Sequence, residues 1–232
     1  MIRLCPVCAA ACEVPARQLG PVQCQGCDAR FLADTNGPDD PLARLPPARP
    51  QRVEIAQGTD AWRALRRRLR MASETPAVLG LSAFSNALAN LRNEKRGQRV
   101  FVNAAMRKGT EQEPFARAAY AASHGAADAA MYVDGDYGCS LDGLSADGRT
   151  VLEIKTPYRG RAHERWRLAI AGRTLRSDYA QIQHQLMVCR AARAHLFVWD
   201  AEMREGVHVE ILPDPLFWLR IRSGWDSFWP TL

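Results

Sequence analysis

The sequence predicts a mixed α/β domain built on one central sheet and preceded by a small metal-bound module. Three observations carry this. Hydrophobic periodicity runs in the order helices, strand meander, helix, two strands, helix. Four cysteines in two C-x2-C pairs stand within the first 27 residues. Between them and the periodic part, residues 35–50 hold five prolines and no apolar periodicity, a composition that resists helix and central strand alike. The expected organisation is residues 1–34 as the small module, 35–57 as a proline-rich linker and 58–232 as the main domain.

Cys5 and Cys8 are followed, after a gap of fifteen residues, by Cys24 and Cys27, and the gap fits a short hairpin. Two such pairs converge four thiolates on one tetrahedral Zn²⁺. Gly26 permits the tight turn inside the second pair. A closed four-sulfur site is structural, and a module of about thirty residues draws its folding energy from the ion. Iron on the same cysteines is the alternative. Cys12 reads as a spare buried thiol.

In the main domain, Thr59 or Asp60 caps a helix on which Trp62, Leu65 and Leu69 share a face. Residues 73–76 start a second helix, with Pro76 in its first turn. Residues 82–93 form a third helix, and 109–124 a long alanine-rich fourth stopped by Gly125. Residues 139–143 read as a strand running into a turn, and Asp147-Gly148 as a hairpin turn. The strand over 150–156 alternates strictly, with Val151, Glu153 and Lys155 on one side and Leu152 and Ile154 on the other. A helix over 177–189, strands over 195–199 and 207–212 and an amphipathic helix over 213–229 complete the order.

Composition bounds the function classes. With 47% hydrophobic and 24% charged residues among 232, the chain can bury a core. No apolar run approaches the ~18 residues of a membrane span, and the start, MIRLCPVC, lacks an apolar signal core, so a cytoplasmic protein without a membrane partner is expected. A net charge of +6 and a pI near 9.1 suit a polyanionic partner. Arg66, Arg67, Arg68 and Arg70 crowd one or two helical turns, a pattern that also fits a solvated face.

The chemistry concentrates late in the chain. Asp142 at a strand end and Glu153 on the next strand are candidate oxygen ligands for a hard divalent cation. Lys155 shares the Glu153 side, where it can orient a water or neutralise a phosphate. Acid, acid and lysine around a metal are the minimal set for phosphodiester hydrolysis, although the same spacing fits a surface hairpin with a Glu/Lys pair. Glu113 on the fourth helix either adds a third carboxylate or is an ordinary surface residue. Gln181, His184 and Gln185 form a polar stripe opposite Ile182, Leu186 and Cys189. Near a metal such a stripe holds phosphates or water; elsewhere it is merely solvated.

Over residues 58–212 the chain resembles the lambda-exonuclease-type, or YqaJ viral recombinase, branch of the PD-(D/E)xK nucleases. GTDAW at 58–62 is similar to the family's opening G-x-x-x-W. Arg66 and Ser73 match its terminal-phosphate arginine and serine, and Glu113 its helix glutamate in G-x-x-x-E-x-x-A-R. Leu141-Asp142-Gly143 matches the D-G turn, with leucine where the superfamily often has proline. Glu153-Ile154-Lys155 matches E-x-K, and Tyr179, Gln181 and Gln183 match Y-x-Q-x-Q. The cysteine module and linker lie outside the resemblance.

The resemblance implies a restriction-endonuclease-like core, a central mixed sheet flanked by helices. It implies a Mg²⁺- or Mn²⁺-dependent DNA exonuclease that resects 5′-phosphorylated duplex ends, 5′ to 3′, for phage-type recombination. Two ions are implied, with Asp142, Glu153 and the Ile154 carbonyl on one and Glu113 helping a second. Lys155 would activate the water, Gln181 approach the site, and Arg66 with Ser73 bind the 5′-phosphate. DNA is the implied partner, with a single-strand annealing protein and a homo-oligomer also consistent with the family. The alternatives are an endonuclease of a defence system, a RecB-type CRISPR-associated nuclease, and a catalytically inactive DNA- or partner-binding subunit. Cys139 and Cys189 are too few for the iron–sulfur cluster of the second, and an intact Asp142, Glu153 and Lys155 argue against the third.

Overall fold

The computed structural model describes residues 50–98 and 104–232, together with four short N-terminal strands: β1 (Ile2–Leu4), β2 (Ala11–Glu13), β3 (Pro21–Gln23) and β4 (Arg30–Leu32). β1 pairs antiparallel with β2, and β3 with β4. The hairpin expected in the gap between the cysteine pairs is thus not what forms: β2 and β3, which occupy that gap, each pair away from the other. Cys5, Cys8, Cys24 and Cys27 themselves lie outside the described residues, as does most of the expected linker.

The central sheet contains β5 (Gln51–Val53), β6 (Arg70–Met71), β7 (Ala127–Asp134), β8 (Tyr137–Ser145), β9 (Thr150–Lys155), β10 (Arg193–Asp200) and β11 (Glu205–Ile211). Its order is β11-β10-β9-β8-β7-β5, with β6 added alongside β8. β9 and β10 are parallel and the hairpins are antiparallel, so the sheet is mixed, as predicted. The parallel pair needs a crossover, supplied by α5 (Glu164–Ile170) and α6 (Arg176–Cys189). β5 draws residues of the expected linker into the sheet, where they pair with β7.

The remaining helices are α1 (Asp60–Arg68), α2 (Thr75–Val78), α3 (Ala87–Lys95), α4 (Ala104–His124) and α7 (Pro215–Phe228). The Thr59 hydroxyl accepts from Trp62 N–H and caps α1. Gly125, at φ +88°, ends α4. The alternation of β9 divides the core: Leu152 and Ile154 pack with Ala116, Tyr120, Phe197 and Trp199 under α4, whereas Val151 packs with Ile182, Leu186, Leu196 and Trp218 under α6 and α7.

Two expectations change here. The turn expected at Asp142-Gly143 is strand, because β8 runs on to Ser145. Gly143 is needed for close approach rather than for turning, since a Cβ there would lie 2.7 Å from Ala127 Cβ and 3.1 Å from Leu152 Cδ2. The polar stripe of α6 is not solvated either. Every residue from Asp178 to Val188 except Gln181 is buried, because the helix lies between the sheet, α2 and α7.

Candidate active site

β8 and β9 pair only at Gly143↔Leu152 and Leu144↔Val151. Towards its start, β8 gives the same edge to β6, at Tyr137 and Gly138. Between these contacts the sheet forks, and Asp142 sits at the fork. Ile154 N–H, freed from the ladder, donates to Asp142 Oδ2 at 2.7 Å. A strand residue's N–H and C=O point to one edge, so the Ile154 carbonyl also turns towards β8.

Glu153 points the other way, onto α6, and is 3% exposed. Its Oε1 accepts from Lys155 Nζ and Gln181 Nε2, both at 2.6 Å, and its Oε2 accepts from Gln185 Nε2 at 2.5 Å. Lys155 Nζ also donates to Gln181 Oε1 at 3.0 Å. Glu113, on α4, accepts from Arg117 one turn later.

The electrostatics show an excess of negative charge. Burial, then the charges of Glu153 and Glu113, hold the Asp142 carboxyl well above the usual carboxylate range. Burial likewise raises Glu113, with Arg117 opposing and Glu153 adding to the rise. For Lys155 burial works against the charge, but Glu153 and Asp178 outweigh it and the ammonium is raised. Carboxyls that drive one another up form a site that a divalent cation relieves, and an all-oxygen donor set suits a hard ion. The ligand atoms of Asp142, Glu153 and Glu113 do not all lie within 4.8 Å of one another. Among the described residues, the trio of ligand atoms found within 4.8 Å of one another is a different one, His124, His195 and His208.

The structure brings Arg66 and Ser73 together: Arg66 Nη2 donates to Ser73 Oγ at 2.9 Å. The guanidinium lies 4.6 Å from the Trp62 ring centroid and 3.6 Å from Glu74 Oε1. Sequence reasoning missed the residues beneath. Glu74 is buried with its Oε2 2.6 Å from Lys95 Nζ, and Lys95 also donates to the Arg66 and Leu69 carbonyls at 2.8 and 2.6 Å. Burial raises Glu74 against the pull of Lys95 and Arg66, and lowers Lys95 against the pull of Glu74. Two cations share one carboxylate, with the exposed Ser73 hydroxyl at their edge.

Helix α6 touches both places. Gln181 and Gln185 hold Glu153, whereas His184 leaves the stripe and puts Nδ1 2.6 Å from Thr75 Oγ1, next to Glu74. Burial lowers His184 to about 3, so it is a neutral structural residue.

Residues 61–192 match the model of the YqaJ-like viral recombinase domain. The chain belongs to the YqaJ-like viral recombinase family. An alkaline exonuclease from Laribacter hongkongensis shares the fold at TM-score 0.61 and 24% identity, over 75% of this chain and 92% of that one. The same enzyme is also solved in complex with dAMP. A phage-related exonuclease from Haemophilus somnus 129PT superposes at TM-score 0.54 with 11% identity, over 69% of this chain and 91% of that one. None of the curated proteins matches. The family is thus the YqaJ-like one that the sequence motifs imply, and the fold is the one these exonucleases share. In this YqaJ-like domain no described helix is long and apolar enough to cross a membrane.

Proposed function

We propose that this YqaJ-like protein is a divalent-metal-dependent DNA exonuclease that begins at 5′-phosphorylated duplex ends. One observation carries the proposal: a carboxylate cluster short of positive charge and an arginine–lysine pocket short of negative charge hang from the same strand, β8, and the same helix, α6. A nuclease acting at ends needs both, one to hold metal against the scissile bond and one to hold the terminal phosphate.

Asp142, Glu153 and the Ile154 carbonyl would hold a Mg²⁺ or Mn²⁺ ion, with Glu113 serving a second. Such ions, when bound, polarise the phosphodiester and acidify water. Lys155 keeps its charge between Glu153 and the Gln181 carbonyl, with a proton left to orient a water or meet the scissile phosphate. Gln181 bridges Glu153 and Lys155 and fixes their mutual position. The planar fork of Arg66 binds a phosphate dianion bidentately, and Ser73 adds a hydroxyl. Residues 1–34 are proposed as a zinc ribbon on Cys5, Cys8, Cys24 and Cys27. Support comes from the two antiparallel ribbons, each of which brackets one C-x2-C pair in the sequence.

The test uses end-labelled linear duplexes with Mg²⁺, carrying either a 5′-phosphate or a 5′-hydroxyl, beside covalently closed circles. Release of nucleotides from phosphorylated ends, lost in Asp142→Asn, is the expected result. Rapid cutting of the circles, or equal release by the variant, overturns it.

A further inference from the structure

Three histidines outside the nuclease site meet at the far end of α4. His195 and His208 lie on neighbouring antiparallel strands, where His195 is opposite Glu210 and Phe197 is opposite His208. They are therefore diagonal neighbours on one face. The last turn of α4 covers that face and brings in His124. The ring centroids lie 4.6 Å apart for His124 and His208, 4.8 Å for His195 and His208 and 5.7 Å for His124 and His195. One nitrogen from each lies within 4.8 Å of the others.

The outer partners are those of a ligand set. His124 Nδ1 is 3.3 Å from the Tyr120 carbonyl oxygen, and His195 Nδ1 is 2.7 Å from the Tyr120 hydroxyl. With these Nδ1 atoms protonated and donating, the His124 and His195 rings keep their Nε2 lone pairs free for a metal, as ligating histidines commonly do. Glu210 Oε2 stands 3.7 Å from His195 Nε2. Burial, then the neighbouring histidines, lowers both His195 and His208, which keeps the rings neutral.

We propose that His124, His195 and His208 bind a borderline divalent transition metal, Zn²⁺ first, with Glu210 or water completing the tetrahedron. Imidazole nitrogen selects Zn²⁺ over Mg²⁺. Eleven residues of α4 separate His124 from Glu113, about 16 Å along the helix axis, so this site is distinct from the nuclease site. Its effect is mechanical: the ion ties the end of the helix that carries Glu113 to the edge hairpin β10–β11.

The test is equilibrium dialysis of the full-length protein with Zn²⁺, comparing wild type, His208→Ala, His124→Ala and Cys24→Ser, with Co²⁺ absorption as the spectroscopic probe. His124 and His208 are exposed, so their replacement leaves the fold intact. The histidine variants should each bind one equivalent fewer than wild type and lose a Co²⁺ d–d band that has no thiolate charge-transfer partner. Cys24→Ser should retain that band. Tyr120→Phe should weaken this equivalent about 10- to 100-fold. The same stoichiometry and spectrum in wild type and both histidine variants would refute the site.

Discussion

Two glutamate–lysine pairs on buried carboxylates close at the same distance and have opposite character. Glu153–Lys155 and Glu74–Lys95 each close at 2.6 Å. The Lys155 ammonium is raised and the Lys95 ammonium is lowered, although burial disfavours both charges. The difference lies in the company. Lys155 faces three carboxylates, Glu153, Asp178 and Asp142, against the like charge of Arg165, whereas Lys95 faces two, Glu74 and Glu94, against the like charge of Arg66. Glu153 also has two glutamine amides, whereas Glu74 has no amide donor among the described residues. A pair at one distance thus holds a favoured ammonium in one place and a disfavoured one in the other.

The largest effect that would break this contrast is on catalysis. Lys155→Met and Asp142→Asn should each slow Mg²⁺-dependent nucleotide release by about 10²- to 10⁴-fold, measured in single-turnover digestion with the far-UV circular dichroism unchanged. Lys155→Met should cost less stability than Lys95→Met, because the Gln181 and Gln185 amides still donate to Glu153.

Lys95→Met should behave differently. It leaves Glu74 buried with a single distant cation, and should cost about 3–5 kcal/mol in urea unfolding. Adding Glu74→Gln should recover most of that loss. Equal losses for Lys155→Met and Lys95→Met would erase the distinction.

The pH dependence tests the link between the two places. His184 is lowered to about 3 in the folded chain, against about 6.5 when unfolded. As pH falls below about 6.5 the unfolded chain takes up a proton that the folded one refuses, so stability falls by up to about 1.4 kcal/mol per pH unit. His184→Gln should flatten that limb in urea midpoints compared between pH 7 and pH 4.5. Asp214, raised to about 6, titrates in the opposite sense, so wild type and variant are compared at each pH. The smallest effect is on end selection. Arg66→Ala should reduce the preference for 5′-phosphate over 5′-hydroxyl by about one to two powers of ten, with rates on hydroxyl ends nearly unchanged.

Much of this was legible in the sequence, and the rest was not for definite reasons. The α1 cap, the β9 alternation and the stop at Gly125 all follow from short-range pattern, whereas Arg66 and Ser73 are singled out as a pair only by the family resemblance. β7 was missed because its alanines blur the alternation, and it is a strand only because β5 and β8 flank it. Gly143 reads as a turn residue, and its need for contact with Ala127 appears only in three dimensions. Glu74 and Lys95 look like solvated charges, since nothing local marks a buried pair. His124, His195 and His208 have no motif spacing. Two lie on predicted strands, but the register that places them diagonally is a tertiary fact.

The fork in the sheet also acts as a ruler. β6, which directly follows the arginine-rich helix, is zipped to Tyr137 and Gly138, four residues before Asp142 on the same strand. The distance along β8 from the β6 contact to Asp142 is therefore set by the pitch of extended backbone, about 13 Å at some 3.3 Å per residue. Neighbouring loops can move without altering that separation, which changes only if the β6–β8 ladder unzips.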